Sequence, residues 1–405
     1  MALPRILFAW EAGENFGHVS KIAEVARGLT GRAELLAAVR NPIALRQIAP
    51  DLPVTILPAP AAPPQVLMSG DDAGRSYPDV LRHAGWAALE TLAPLVEAWR
   101  NLFALVQPDV LAVQAAPTAL LAARGTGLRT AMIGSGFDAP PRAHPMPAFY
   151  HWDKDANTPP VTREAGVLEV ANRVLAEVDA PTLSRFCDLL QTDAYLLATF
   201  AEIDHYGLRT VFEPDHPPYL GQLVTLDQGT EMTWRPQVRH RILAYLRPRT
   251  PPFEPAVRAL ARLDRSHDVI LAAPGASNDL AERLQSTSIR LHSGPVRLDR
   301  LLPECDLGIS HASNGVAAAF VMAGVPQLGL PGHAEQVMIA QTVARQKLGL
   351  GLVGQFGPDA VQNALETTLG STAMRQRAQK TAGRLQQTLP ADPGRVLADA
   401  VLALA

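Results

Sequence analysis

The sequence predicts an α/β protein built from two doubly wound domains, and three observations support this. Short apolar runs alternate with stretches of helical periodicity in both halves of the chain. The 405 residues are enough for two domains of ordinary size, each with its own core. Residues 221–238 are polar and lack periodicity, which predicts a linker. The N-terminal domain is therefore expected over residues 1–220 and the C-terminal domain over residues 239–405, with the last helix able to pack back on the first domain.

The first half opens with a strand, a glycine-punctuated loop and a helix, the usual first unit of such a sheet. These are Ile6–Trp10, Glu11–Gly17 and His18–Leu29. Further strands are predicted at Glu34–Val39, Val54–Leu57, Val110–Val113, Thr130–Ile133 and Ala194–Ala198. Further helices are predicted at Pro42–Ile48, Tyr77–Val106 with an interruption near Pro94, Ala119–Arg124, Arg163–Val178 and Leu183–Leu190.

The second half repeats this alternation around the stretch Cys305–Ala340. Within it, strand Leu307–Ser310 runs through a polar turn into helix Val316–Ala323, and strand Pro326–Leu330 follows. Other strands are expected at Arg241–Leu246, Val269–Ala273, Ile289–Leu291 and Leu350–Val353, and helices at 255–263, Asn278–Leu284, Pro358–Leu369, Ala373–Thr388 and Val396–Leu404. A helix that starts at such a turn offers unpaired N–H groups to an anion, most often a phosphate, although an ordinary β-α-β unit has the same spacing.

The order of residues in Cys305–Ala340 resembles the donor-binding signature of the family-one, UDP-glycosyltransferase-like glycosyltransferases. The matching residues are His311, Gly315, Gly324-Val325-Pro326, Leu330-Pro331, Glu335-Gln336 and Ala340. The resemblance implies the GT-B fold, in which two Rossmann-like domains face each other across a cleft. It also implies a nucleotide-diphosphate sugar as co-substrate, with a UDP-sugar expected first and a dTDP-sugar second.

The resemblance also assigns roles within the donor site. It implies that His311 stabilises the charge growing on the leaving diphosphate, together with the backbone of Ser313, Asn314 and Gly315. Glu335 and Gln336 are expected to bind sugar hydroxyls. Val296, in the loop Gly294–Arg297, is expected to present backbone to the nucleobase.

His18 is the candidate catalytic base. It follows Gly17 at the start of the first helix, where the positive helix end disfavours imidazolium, although a histidine there is also typical of a helix cap. The segment Gly13–Val19 resembles the Gly-His motif of the same superfamily, in which the histidine takes the proton of the acceptor hydroxyl. Gln114 stands where the family has an aspartate that orients this histidine, and an amide orients a ring without stabilising its charge.

Apolar and aromatic loops predict a hydrophobic or aromatic hydroxyl compound as the acceptor, although packed surface loops have the same composition. The predicted acceptor-binding residues are Gly13, Met68, Ser135, Phe137, Phe149 and Trp152.

Several departures from the family pattern leave a second interpretation open. Ala319 replaces the acidic residue that holds the ribose, Val316 replaces a threonine on the phosphate side, and Ile339 replaces an asparagine. The chain is thus expected to be either a metal-independent inverting glycosyltransferase or a catalytically silent homologue that serves as a binding or accessory subunit. Epimerisation of the nucleotide sugar is a third possibility, which no set of carboxylates supports.

Composition excludes several other classes. The formal net charge of -3 and the lack of a Lys/Arg block argue against nucleic acid as the main partner. Two distant cysteines predict neither a disulfide framework nor a metal cluster, and the N-terminus resembles neither a signal peptide nor a membrane span, so the expected location is cytoplasmic. Asp153-Lys154-Asp155 is interpreted as solvated charge rather than a metal motif. A homodimer or a partner enzyme is left open.

Overall fold

The computed structural model describes residues 2–13, 16–62, 74–152, 161–207 and 209–405. The chain divides into two compact units. The first unit contains Met1–Ala201, Leu208–Leu223 and Pro390–Ala405, and the second contains Glu202–Gly207 and Val224–Leu389.

The first unit holds a sheet of six parallel strands. Its strands are β1 (Arg5–Trp10), β2 (Glu34–Val39), β3 (Val54–Pro58), β4 (Val110–Val113), β5 (Arg129–Gly134) and β6 (Ala194–Leu197). Their order across the sheet is β3-β2-β1-β4-β5-β6. Its helices up to Phe212 are α1 (Phe16–Leu29), α2 (Pro42–Ile48), α3 (Tyr77–Leu81), α4 (Leu89–Val106), α5 (Pro117–Ala123), α6 (Val161–Glu177) and α7 (Arg209–Phe212).

The second unit repeats the same winding. Its strands are β7 (His240–Tyr245), β8 (His267–Ala272), β9 (Ile289–His292), β10 (Leu307–Ser310), β11 (Gln327–Gly329) and β12 (Gly349–Gly351). They are all parallel and lie in the order β12-β11-β10-β7-β8-β9. Its helices are α8 (Phe253–Leu260), α9 (Asn278–Leu284), α10 (Leu298–Leu301), α11 (Asn314–Met322), α12 (Ala334–Arg345), α13 (Pro358–Gly370) and α14 (Thr372–Thr388). Two doubly wound α/β sheets confirm the predicted fold class.

Two segments near the boundaries of the units are assigned by their apolar contacts, which the periodicity of the sequence does not reveal. Residues 224–238, expected in a linker, belong to the second unit, where Trp234 packs on its core and donates from Nε1 to the Leu301 carbonyl at 3.0 Å. The last helix, α15 (Pro393–Leu402), belongs to the first unit. There Leu397 and Ala398 lie in the core, and Ala398 approaches Gly28 of α1 so closely that a Cβ on Gly28 would lie 2.7 Å from the alanine methyl.

Two helix predictions were wrong in detail. The helical stretch Tyr77–Val106 breaks around Gly85, whose φ of 99° few other residues adopt, whereas Pro94 lies inside α4. A single proline in the second turn removes one backbone hydrogen bond and leaves the helix continuous. Of the predicted helix Leu183–Leu190, only Phe186–Leu190 is helical, as a 3-10 turn. Among the described residues, no helix is long and apolar enough to cross a bilayer.

The loop after β1 is anchored by a buried carboxyl group. Glu11 accepts hydrogen bonds from the Thr118 backbone N–H at 2.6 Å and from Trp99 Nε1 at 2.8 Å. Burial nevertheless raises the pKa of Glu11 from 4.5 to about 7, against the effect of these donors. Because the folded-state pKa is the higher one, the folded chain binds this proton more tightly than the unfolded chain does.

This predicts a pH-dependent stability difference between the wild type and Glu11→Gln. The contribution of Glu11 is complete below pH 4.5 and is lost as the pH rises through about 7. The free energy of unfolding of the wild type, relative to the variant, should therefore fall by about 3 kcal/mol across this window. Urea unfolding of both proteins from pH 4.5 to 8 measures the difference, and parallel pH profiles would contradict the assignment.

Candidate functional sites at the two sheet edges

In each sheet the strand order reverses between two neighbouring strands, β1 and β4 in the first unit and β7 and β10 in the second. Ligands of doubly wound sheets bind beyond the carboxyl ends of the strands at such a point, because the loops on either side diverge there. His18 lies in α1, directly after the loop that leaves β1, and His311 directly follows β10. Both predicted histidines are therefore placed at a reversal point.

Three loops of the first unit converge on His18. Gln114 directly follows β4, and Ser135 and Asp138 lie in the turn after β5. His18 Nδ1 lies 2.8 Å from Gln114 Oε1. The other end of the same amide, Nε2, donates to Asp138 Oδ2, which lies 3.9 Å from His18 Nδ1.

Asp138 is held by a buried cation and a turn. Lys21, one helical turn after His18, donates from Nζ to Asp138 Oδ2 at 3.2 Å and to Ser135 Oγ at 3.4 Å. The Ser135 backbone N–H and hydroxyl donate to Asp138 Oδ1 at 2.7 and 2.6 Å. Lys21 and Asp138 are each only 6% exposed, so the two opposite charges stabilise each other away from water. Hydrogen-bond donors and a neighbouring cation favour the charged form of a carboxylate.

The ring of His18 is oriented by two further residues. The indole of Trp10 stacks on the imidazole, with the ring centroids 5.8 Å apart and 24° between the planes. Gly13 has a φ of 83°, and a Cβ added to it would lie 2.5 Å from His18 Nε2. A glycine at this position therefore lets the imidazole pack against the Gly13 backbone, with Nε2 as the nearest ring atom.

His311 is buried, and both of its ring nitrogens have protein partners. Nδ1 lies 3.0 Å from the Leu330 carbonyl, and Nε2 accepts the Arg247 backbone N–H at 2.9 Å, with Thr250 Oγ1 at 3.3 Å. Nδ1 therefore carries the proton. Burial lowers the pKa of His311, and the guanidinium of Arg247 lowers it further, so the ring is neutral near pH 7. Direct contact between His311 and a diphosphate would require one of these hydrogen bonds to be exchanged.

The N-terminus of α11 has unused polar groups. Ser313 is its N-cap residue, and Asn314, the first helical residue, is 8% exposed. Neither polar atom of the Asn314 side chain has a hydrogen-bond partner among the described residues. A Cβ added to Gly315 would meet no atom of the described chain within 4 Å, so space remains beside this helix end. Buried amides without partners are rare in native structures and mark positions where a ligand or water can bind.

Glu335 and Gln336 lie in the first turn of α12. Gln336 Oε1 accepts the Gly332 backbone N–H at 2.9 Å, which holds the loop before the helix. Glu335 Oε1 lies 3.6 Å from Nε2 of His205, a fully buried residue in the segment Glu202–Gly207. The same segment is attached to α12 through Thr342 Oγ1, which donates to the Asp204 carbonyl at 3.2 Å.

The remaining predicted site residues differ in accessibility. Phe149 is buried against Phe137, with ring centroids 5.0 Å apart, and Trp152 contacts the rings of Tyr150 and His151. The hydroxyl of Ser135 is engaged with Asp138 and Lys21, and the side chain of Val296 lies in the core of the second unit. Met68 lies outside the described residues.

Sequence reasoning missed four polar residues at these sites: Lys21, Asp138, His205 and Arg247. Two of them had a local signal, since Lys21 is three residues after His18 on the same helix and Arg247 follows the end of β7. Asp138 and His205 reach their sites only through tertiary packing. Among the described residues, no three His, Cys, Asp or Glu side chains are arranged to hold a metal ion.

Comparison with solved structures identifies the fold. The chain resembles CalG4, the calicheamicin glycosyltransferase, with a TM-score of 0.74 and 18% identity over 100% of this chain and 98% of that one. It also resembles glycosyltransferase VinC in complex with dTDP, with a TM-score of 0.68 and 17% identity over 99% of this chain and 100% of that one. At such identities the likeness establishes the fold, which is that of GT-B glycosyltransferases.

Comparison of sequences identifies a family resemblance for the C-terminal part of the chain. Residues 256–397 match the family model described as "Erythromycin biosynthesis protein CIII-like, C-terminal domain", which confirms the predicted resemblance for that part of the chain. Glycosyltransferase GtfC from Amycolatopsis orientalis is 34% identical over 107 residues, which are 26% of this chain and 26% of that relative. The match thus spans about a quarter of the relative's length.

The position of Gly13 predicts a local and measurable effect on His18. Gly13→Ala should displace the imidazole and destabilise the fold by about 1 kcal/mol, because the new methyl group collides with the ring and φ is positive. Histidine NMR signals and thermal unfolding measure the two effects. Gly17→Ala is the matched control, since a Cβ there meets no described atom within 4 Å. Equal responses to both substitutions would contradict the packing of Gly13 against His18.

Proposed function

We propose that this protein is an inverting glycosyltransferase that moves a sugar from a nucleoside diphosphate donor to a hydroxyl group of an apolar small molecule. The observation that carries the proposal concerns the N-terminus of α11. There the buried Asn314 amide has no hydrogen-bond partner in the described chain, and space remains beside Gly315. This helix end lies within the segment that matches the family model. A diphosphate suits it, since the helix end supplies N–H donors and positive potential.

Positive charge at the donor site comes from Arg247 and the helix ends rather than from His311. Desolvation lowers the pKa of both His311 and His333, and the Arg247 guanidinium lowers each of them further. Arg247 lies in the loop after β7, where its backbone N–H contacts His311, and its guanidinium is proposed to bind a diphosphate between this loop and α11. We assign His311 an indirect role: it accepts the Arg247 backbone N–H and so fixes that loop.

The acceptor side depends on His18. A proton on Nδ1, facing Gln114 Oε1, leaves a lone pair on Nε2 beside Gly13. Nε2 takes the proton of the acceptor hydroxyl as its oxygen attacks the anomeric carbon, and the nucleoside diphosphate leaves with the bonding electrons. One displacement of this kind inverts the anomeric configuration. Phe137, partly exposed on the buried Phe149, is proposed to contact an apolar acceptor.

Glu335 and Gln336 are proposed to bind the sugar hydroxyls, and Glu335 Oε1 lies 3.6 Å from His205 Nε2. Val296 and Ser313 are proposed to contact the nucleotide through their backbone. A dTDP-sugar is a reasonable first donor to test because VinC was solved with dTDP. A cytoplasmic location is also proposed, supported by two free buried cysteines.

Nucleotide binding can be tested without knowledge of the acceptor. At about 100 times its Kd, dTDP or UDP should stabilise the protein by about 3 kcal/mol, which thermal unfolding detects. Asn314→Asp should weaken binding by about 10- to 100-fold, because its carboxylate repels the diphosphate, while the free protein keeps its stability. Asn363→Asp, an exposed residue of α13, is the control for charge alone. If neither nucleotide raises the melting temperature of the wild type, the donor site is misassigned.

Turnover tests the role of His18. His18→Ala should lower kcat by at least about 100-fold with a dTDP- or UDP-sugar and a panel of apolar phenols and alcohols, while nucleotide affinity stays unchanged. Product release is followed by chromatography, and the anomeric configuration of the product by NMR. Nucleotide binding without turnover in wild type and variant alike would favour a catalytically silent binding or accessory subunit.

A further inference from the structure

The first unit contains charged groups that the family resemblance does not account for, Lys21 and Asp138. Asp138 accepts a hydrogen bond from Gln114, the residue that stands where the family has the acidic partner of its catalytic histidine. Lys21 in turn donates to Asp138. We propose that Asp138 is a positioning residue that selects the base-competent tautomer of His18 by fixing the orientation of the Gln114 amide. This inference rests on the proposed function of His18.

The first step concerns the carboxylate. Asp138 accepts two hydrogen bonds from Ser135 on Oδ1 and a third from Lys21 on Oδ2. With the cation of Lys21 at 3.2 Å and so many donors around it, the group is ionised and has no proton to donate. Any group that contacts it by a hydrogen bond must therefore be a donor.

The second step concerns the amide. The two ends of a glutamine amide look nearly alike, so its orientation follows from its partners. Asp138 Oδ2 accepts only, so Gln114 turns Nε2 toward it and Oε1 toward His18. The Gln114 backbone N–H, donating to the Ala9 carbonyl at 2.9 Å, holds the residue at the end of β4.

The third step concerns the imidazole. Gln114 Oε1 can only accept, so His18 Nδ1 at 2.8 Å must carry the proton and Nε2 must carry the lone pair. Without the carboxylate, the amide could turn round, donate to Nδ1 and place the proton on Nε2, where it blocks proton abstraction. Asp138 also lies 3.9 Å from Nδ1, close enough for its negative charge to stabilise the imidazolium formed in the reaction. Through Gln114, Asp138 thus supplies the ring orientation and the negative charge that a directly bonded aspartate supplies in the family that the sequence resembles.

The test is the tautomer of His18, read by long-range 1H–15N NMR of the full-length protein at pH 8, with His18→Gln to assign the signals. We expect the proton on Nδ1 in the wild type and on Nε2 in Asp138→Asn. In that variant we expect the Ser135 backbone N–H, which has the shorter contact at 2.7 Å, to keep the asparagine oxygen, while Lys21, at 3.2 Å from Oδ2 in the wild type, keeps its contact with Ser135 Oγ. The new NH2 group then faces Gln114 and reverses its amide. kcat should fall by about 100-fold or more, as expected when a base is held in the wrong tautomer.

The double variant Gln114→Glu/Asp138→Asn is the matched control. It keeps the net charge of the cluster, and its new glutamate accepts from both the introduced asparagine and His18. It should therefore return the proton to Nδ1 and recover at least about 10-fold of kcat. A purely structural role of Asp138 would not be rescued in this way.

Two results would overturn the inference: a wild-type proton on Nε2, or an unchanged tautomer in Asp138→Asn. The expected tautomers without turnover in the wild type would instead refute the transferase proposal and leave the positioning role supported.

Discussion

The constraint on which both candidate sites depend is the parallel alignment of neighbouring strands. Because β1, β4 and β5 run in the same direction, the residues that follow them meet at one edge, although they are distant in sequence. The same holds for β7, β10 and β11 in the second unit. Each reversal of strand order leaves a gap between loops there, and each gap holds one of the two histidines.

At the first edge, the histidine contacts an amide, Gln114, where the family resemblance predicts an acidic partner. The negative charge lies on Asp138, beyond the Gln114 amide and 3.9 Å from His18 Nδ1, and is balanced by the buried Lys21. A buried carboxylate is costly unless paired, and a buried amide needs partners at both ends. The side chains of Gln114, Asp138, Lys21 and Ser135 hydrogen-bond to one another, which offsets the cost of burying these polar groups next to His18.

At the second edge, a neutral histidine lies among cationic groups. His311 uses both nitrogens to join the loops after β7 and β11, and burial keeps its pKa low. In the proposed donor site, the positive charge that binds the diphosphate comes from Arg247 and from the N-terminal ends of α11 and α12. Ala319, which the family resemblance places where an acidic residue would hold the ribose, is buried in the core of the second unit and presents no polar group.

The two doubly wound sheets could be predicted from the sequence, because strand and helix periodicity are local properties, and most strand bounds agree within one or two residues. Its motifs also singled out His18, Gln114 and His311, each next to a strand end or helix start. Tertiary packing was needed to assign residues 224–238 and α15 to their units, since core packing joins segments that are distant in sequence. The contacts of Asp138 and Lys21 around Gln114, and the hydrogen bonds to both ring nitrogens of His311, also depend on tertiary structure. They form between loops that are distant in sequence and meet in space.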